Sequence, residues 1–63
     1  MKIRFTVYPG SKGEKKNSRR YQALGVDNAG SQEAASEAPI TDIYIKRPFA
    51  DGKDKLTITI EEG

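Results

Sequence analysis

Three stretches of the chain alternate apolar and polar residues with a period of two. They are KIRFTVY at 2–8, ITDIYIKR at 40–47 and KLTITIEE at 55–62. Because successive side chains of a β-strand point to opposite faces, this alternation predicts three strands, each apolar on one face only. The apolar faces carry Ile3, Phe5, Val7, Ile43, Ile45, Leu56, Ile58 and Ile60.

The segment SRRYQALGV at 18–26 fits two structures. As a helix it would begin at a Ser18 cap and stop at Gly25, but isolated helices this short are unstable. As a strand it would pair antiparallel with the first one and place Tyr21 and Ala23 on one face. The opposite face would then carry Arg20, Gln22, Leu24 and Val26. We favour the strand.

The connections between these strands carry turn-forming residues. Pro9-Gly10 ends the first strand, and Asp51-Gly52 suits a turn between the last two strands, which we expect to form a hairpin. Residues 27–39 contain no large apolar side chain, so we expect a flexible polar loop that adds nothing to a core. The sequence therefore predicts one all-β domain over 1–63, a small antiparallel sheet of about four strands with no substantial helix.

A chain of 63 residues must bury these apolar faces to be stable. A domain of this size buries only about 60% of the surface that its unfolded chain exposes, and without cysteine no disulfide can add stability. We expect a homodimer that stacks its sheets or joins edge strands. The alternative is a monomeric half-barrel whose long loop folds over one end, with Phe49 as the plug.

Charge is distributed unevenly along the chain. The net charge is only +2, yet residues 1–24 carry seven basic residues and one acid. Most of the seven lie in GSKGEKKNSRRY at 10–21, which includes a predicted basic loop at 9–18. Such asymmetry indicates a polyanionic partner or head-to-tail self-association.

The chain lacks the side chains that most enzymes use. Without histidine or cysteine, imidazole acid-base chemistry and a thiol nucleophile cannot be built. The carboxylates that could act in pairs fall at a predicted turn, in the polar loop or near the terminus, where nothing raises a catalytic pKa. Zinc would have no nitrogen or sulfur ligand. We therefore expect a protein that is not an enzyme and holds no metal and no cofactor. No apolar run is long enough to cross a membrane, and the expected compartment is the cytoplasm.

Binding remains, and basic and aromatic residues form the candidate surface. Lysines on a mobile loop would meet phosphates as point charges, whereas arginines add bidentate contacts and tyrosines add stacking rings. Alternation places further basic and aromatic side chains on the outer faces of the first and third strands. The candidate set for nucleic acid, single-stranded in preference to duplex, is Lys12, Lys15, Lys16, Arg19, Arg20, Tyr21, Arg4, Tyr8, Tyr44 and Lys46.

Two other interpretations of the same residues stay open. Antiparallel sheets commonly present basic residues, threonine and tyrosine to water, and Tyr8 and Tyr44 could form a simple cross-strand pair. Alternatively, the protein is an inhibitor or adaptor that pairs an exposed strand edge with another protein's sheet and has no nucleic-acid role.

Four short elements follow one another along the chain: Lys16-Asn17, Arg20-Tyr21, Ile43-Tyr44-Ile45 with Lys46, and Leu56-Thr57-Ile58-Thr59-Ile60-Glu61. This order resembles a layout in short uncharacterised β-rich proteins of bacteria and their mobile elements. The resemblance implies that residues 27–39 are the variable loop and that KNSRRY is a strand-entry element. It implies no activity.

Overall fold

A computed structural model describes all 63 residues and shows an all-β fold built on one five-stranded antiparallel sheet. The strands are β1 (Lys2–Val7), β2 (Ser18–Asn28), β3 (Ser31–Ala34), β4 (Asp42–Lys46) and β5 (Lys55–Thr59). Two single turns of 3-10 helix, Gly10–Gly13 and Ala35–Glu37, are the only helical segments, and neither is long and apolar enough to cross a membrane. The prediction of a small antiparallel sheet without a substantial helix is confirmed.

Strands β1 and β2 form the centre of the sheet and pair antiparallel, as expected. β5 pairs with the other side of β1, whereas the long β2 accepts two partners on its second side, β4 along residues 18–22 and β3 along residues 25–28. β4 and β5 therefore lie on opposite margins of the sheet, and the predicted hairpin between them is wrong. Asp51-Gly52 does form a turn, but turn residues show where a chain bends and not which strand it joins next.

Residues 27–39, which we expected to form a flexible loop, instead complete β2 and return along it as β3. The turn between them contains Gly30, whose φ is 79°. Glycine adopts this conformation without steric cost. All four residues of β3 are exposed, so backbone pairing alone makes this strand. None of these residues is among the buried core residues, as expected, but Ala38 is half-buried and packs against them.

The buried core lies on one face of the sheet, which we call the inner face. It consists of Ile3, Phe5, Tyr21, Val26 and Ala50. The pairing of β1 with β2 shifts by one residue, which leaves Leu24 without a partner in a β-bulge. The extra residue brings Val26 to the same face as Tyr21, so the prediction that these two residues lie on opposite faces is wrong.

The inner face is covered only in part. Ala38 and Ile40 pack on it from the segment before β4, and Ala50 packs on it from the 47–54 connection. Phe49, the expected plug, is instead 60% exposed and lies beside the Lys53 ammonium. The remaining apolar side chains of this face are half-buried: Val7, Ile43, Ile45, Leu56, Ile58 and Ile60.

Candidate nucleic-acid interface

Arg19 is an interior arginine, although the sequence analysis placed it in the candidate surface. Only 8% of the residue is exposed. Its guanidinium donates to the carboxylates of Glu14 (Nε to Oε2, 2.8 Å) and Asp54 (Nη2 to Oδ1, 3.0 Å) and to the carbonyls of Ala50 and Lys53. The hydrogen bond with Glu14, followed by that with Asp54, raises the pKa of Arg19 above its usual value.

Tyr21 lies two residues further along the same face of β2 and is fully buried. Its hydroxyl donates to the carbonyl of Lys53 at 2.6 Å. Together with Arg19 it fastens the 47–54 connection to the sheet. Because neither side chain can reach a ligand outside the protein, the structure removes both from the candidate interface. Arg19 and Tyr21 are two residues apart, so alternation places them on one face of the strand, and this was the available signal that they share an environment.

Arg47 extends the ion-pair network around Glu14 and was not predicted from the sequence. Its Nη2 lies 2.9 Å from Glu14 Oε1, its Nη1 donates to the Asp51 carboxylate, and its Nε donates to the carbonyl of Lys15 at 3.2 Å. Hydrogen bonds from Arg47 and then from Arg19 lower the pKa of Glu14. The single acid of the basic stretch thus holds two arginines, and it anchors a segment that we expected to be a free loop.

The outer face carries a cluster of Tyr8, Arg20, Asp42 and Tyr44. Strand register places Tyr44 opposite Arg20, whose Cζ lies 4.2 Å from the Tyr8 ring centroid and 6.0 Å from that of Tyr44. Arg20 Nη2 lies 2.5 Å from Asp42 Oδ2, and the Tyr8 hydroxyl donates to Asp42 Oδ1 at 3.0 Å. The Arg20 hydrogen bond lowers the pKa of Asp42, and donation to that carboxylate raises the pKa of Tyr8.

Every ion pair in this protein uses an arginine, so the lysine side chains carry no paired carboxylate. Lys46 is exposed two residues after Tyr44 and pairs in register with Ser18. The Lys15 N–H donates to the Ser18 carbonyl at 3.0 Å, so the exposed turn at residues 15–16 lies beside the end of β4. We call this surface the basic-aromatic strip and define it as Tyr8, Lys15, Lys16, Arg20, Tyr44 and Lys46.

Arg4 and Lys12 lie apart from the strip. Arg4 Nε pairs with Asp27 Oδ2 at 3.3 Å across β1 and β2. Its guanidinium also packs against Gly25, where a Cβ would lie only 2.4 Å from Arg4 Nη2. Lys12 is exposed in the 3-10 turn at Gly10–Gly13. The structure therefore brings only part of the candidate set together on one surface.

Outside this surface the molecule has one pocket and no cluster of metal-binding side chains. Carboxylates form no group of three or more placed to hold a metal ion. One open pocket of about 240 Å³ lies away from the strip and is lined by Arg4, Phe5, Leu24, Lys55, Leu56 and Thr57. Comparison with protein-family models, curated proteins and solved structures finds no match for this chain. Its own residues are therefore the basis for a functional proposal.

Proposed function

We propose that this protein is a non-catalytic cytoplasmic module that binds single-stranded nucleic acid along the basic-aromatic strip. The observation that carries the proposal is a separation of charges: carboxylates pair with the arginines and leave Lys15, Lys16 and Lys46 unpaired. Lys46 lies two residues after the exposed Tyr44 on β4, and the backbone of Lys15 bonds to Ser18, the partner of Lys46. Ammonium groups would neutralise phosphates while the ring stacks on a base. Single strands are commonly bound by this combination without reading of their sequence.

The aromatic rings favour a single strand over a duplex as the ligand. Tyr44 is 58% exposed in the middle of β4 and points to the outer face. A base can stack on this ring only after it has left its own stack, which single strands permit at low cost. Arg20 would support the platform because its guanidinium lies over Tyr8 and near Tyr44 while Asp42 holds it in place.

Fluorescence anisotropy with a labelled oligothymidylate and a duplex of equal length, at several salt concentrations, tests the proposal. We expect single-strand binding with a log–log salt slope of about −0.7 per phosphate contacted. Tyr44→Ala should weaken binding about five-fold or more, because one base–aromatic stack contributes about 1–3 kcal/mol. Tyr44→Phe keeps the ring and should bind as the wild type does.

Two double variants with the same loss of charge distinguish binding at the strip from nonspecific electrostatic attraction to the whole protein. Lys16→Gln with Lys46→Gln removes two ammonium groups from the strip and should make the salt slope shallower by about 1.4. Lys2→Gln with Lys12→Gln removes the same charge elsewhere and should change the slope little. Equal losses in both double variants would contradict the strip, and no binding of either oligonucleotide at low salt would overturn the function.

A second candidate function is protein binding through a strand edge, and the position of β5 favours it. β5 pairs with β1 alone, so its other edge is open. An open edge can accept a strand from another protein. Charge reversal in the strip would then leave partner binding unchanged, whereas proline at Thr57 would abolish it.

A further inference from the structure

Three strands of the sheet have an open edge, and only β5 lacks protection against strand pairing. β3 is four residues long and carries the charged Glu33 in its middle. The edge of β4 is partly occupied, since the Ala50 N–H donates to the Lys46 carbonyl at 3.2 Å. β5 contains no proline, glycine or bulge, and its single charge is Lys55 at its first residue. A strand edge without proline, glycine, bulge or central charge favours pairing with another strand.

Hydrogen bonds at both ends of the β1–β5 ladder show which backbone groups of β5 point toward β1 and which point away from the sheet. The Val7 N–H donates to the Asp54 carbonyl at 2.8 Å, and the Ile60 N–H donates to the Met1 carbonyl at 2.8 Å. Bonded and non-bonded positions alternate in an antiparallel pair, so the even-numbered residues of this segment bond to β1. The backbone groups that point away from the sheet belong to Lys55, Thr57, Thr59 and, just after the strand, Glu61.

We propose that the open edge of β5 binds the same edge of a second copy, in an antiparallel register centred on Ile58. This register places Thr57 opposite Thr59 of the second copy and Lys55 opposite Glu61 of the second copy. All four residues point their backbone groups outward, so both kinds of pair are hydrogen-bonded ones. The two sheets join into one across the two-fold axis.

Charge complementarity identifies a second copy as the occupant. The segment has a cation at its start and an acid after its end, so antiparallel self-pairing brings Lys55 and Glu61 together at both ends of the junction. Asp54, which would lie opposite Glu62 of the second copy, is already paired with Arg19 of its own chain. A register centred on Thr57 would instead place Lys55 opposite Thr59 and lose both contacts. The chosen register also aligns the half-buried inner-face residues, with Ile58 opposite Ile58 and Leu56 opposite Ile60.

Analytical ultracentrifugation without nucleic acid, from micromolar to millimolar protein, tests this junction. The wild type should dimerise. Lys55→Glu places two carboxylates at each end of the junction and Glu61→Lys places two ammonium groups there, so each variant should dimerise about ten-fold more weakly. An equal mixture of the two variants should recover wild-type affinity, because every pair in the mixed dimer again joins opposite charges. Both positions are exposed in the single copy, and circular dichroism checks that the fold is kept.

Recovery in the mixture supports the proposal, as does slowed amide hydrogen exchange at Thr57 and Thr59 when the protein concentration is raised. A wild type that stays monomeric at millimolar concentration overturns it and leaves the edge to a strand of another protein. A mixture as weak as the single variants overturns the register and the charge argument with it. Since no nucleic acid is present, either failure is separate from a failure of the proposed function.

Discussion

The two margins of the sheet are stabilised in different ways. At the β4 margin, Arg19 and Arg47 join three carboxylates and several backbone carbonyls into a network that holds the connections on either side of it. At the β5 margin, a single strand is held by its pairing with β1 and by half-buried Leu56 and Ile58. Few side chains are fully buried, so polar cross-links stabilise the first margin where a larger core is lacking. No side chain of β5 itself forms a cross-link, and its outer edge remains open.

Replacement of Arg19 by methionine should have the largest effect, because it breaks the network of the closed margin. The change removes the hydrogen bonds that this nearly buried guanidinium donates to Glu14, to Asp54 and to two carbonyls of the 47–54 connection. We expect Tm to fall by more than about 10 °C in thermal unfolding followed by circular dichroism. Lys16→Met, at an exposed and unpaired lysine, should move Tm by less than about 3 °C. A similar fall in both variants would contradict a special role for Arg19.

A methyl group at Gly13 should disturb the same margin with a smaller effect. Gly13 is buried, and a Cβ there would lie 2.2 Å from the carbonyl oxygen of Tyr8 and 2.9 Å from Val7 Cγ2. Because the nearest atom belongs to the backbone, Gly13→Ala requires the turn to shift, at a cost of about 1–3 kcal/mol in the free energy of unfolding. Urea denaturation measures this cost. Lys12→Ala is the control and should stay within about 0.5 kcal/mol of the wild type; equal values would show that the turn shifts freely.

Much of the fold could be predicted from the sequence because strands with one buried face have a period of two. That period located β1, β4 and β5 and the inner positions of Ile3 and Phe5. It could not reveal β3, whose residues are all exposed, and it failed beyond Leu24, where a bulge changes the face of each later residue. The hairpin prediction failed because strand partners depend on which edges are free in three dimensions.

The candidate site was predicted less completely, since residue type was given more weight than position. Arg19 was taken as a surface cation because it is charged, although it is two residues from Tyr21 and therefore lies on the same face of β2. Tyr21 was taken as a stacking ring although it faces the core. Glu14, the one acid among five basic residues of GSKGEKKNSRRY, was the signal that the stretch is anchored by ion pairs.

Acid should weaken the closed margin through Glu14 and Asp42. Hydrogen bonds from arginines lower the pKa of each carboxyl in the folded protein, from usual values of 4.5 and 3.8. The stability that they contribute is therefore complete above those usual values, and it is lost as pH falls through the lower folded pKa values. Urea midpoints should be lower at pH 3 than at pH 7. Glu14→Gln removes one titrating group, so its midpoint should change less between the two pH values, and an equal change would contradict the assignment.

Proline at neighbouring positions of β5 should produce the smallest effect and define the open margin most sharply. The Thr57 N–H points away from β1, so Thr57→Pro removes no hydrogen bond within one copy and should cost less than about 1 kcal/mol. Ile58 bonds to β1, and Ile58→Pro should cost about 3 kcal/mol or more. Urea denaturation at low micromolar concentration, where single copies predominate, compares the two. If Thr57→Pro destabilises the chain as much as Ile58→Pro does, the backbone of Thr57 is bonded within the sheet. The β5 margin would then be closed as well, and the contrast with the arginine network at β4 would not hold.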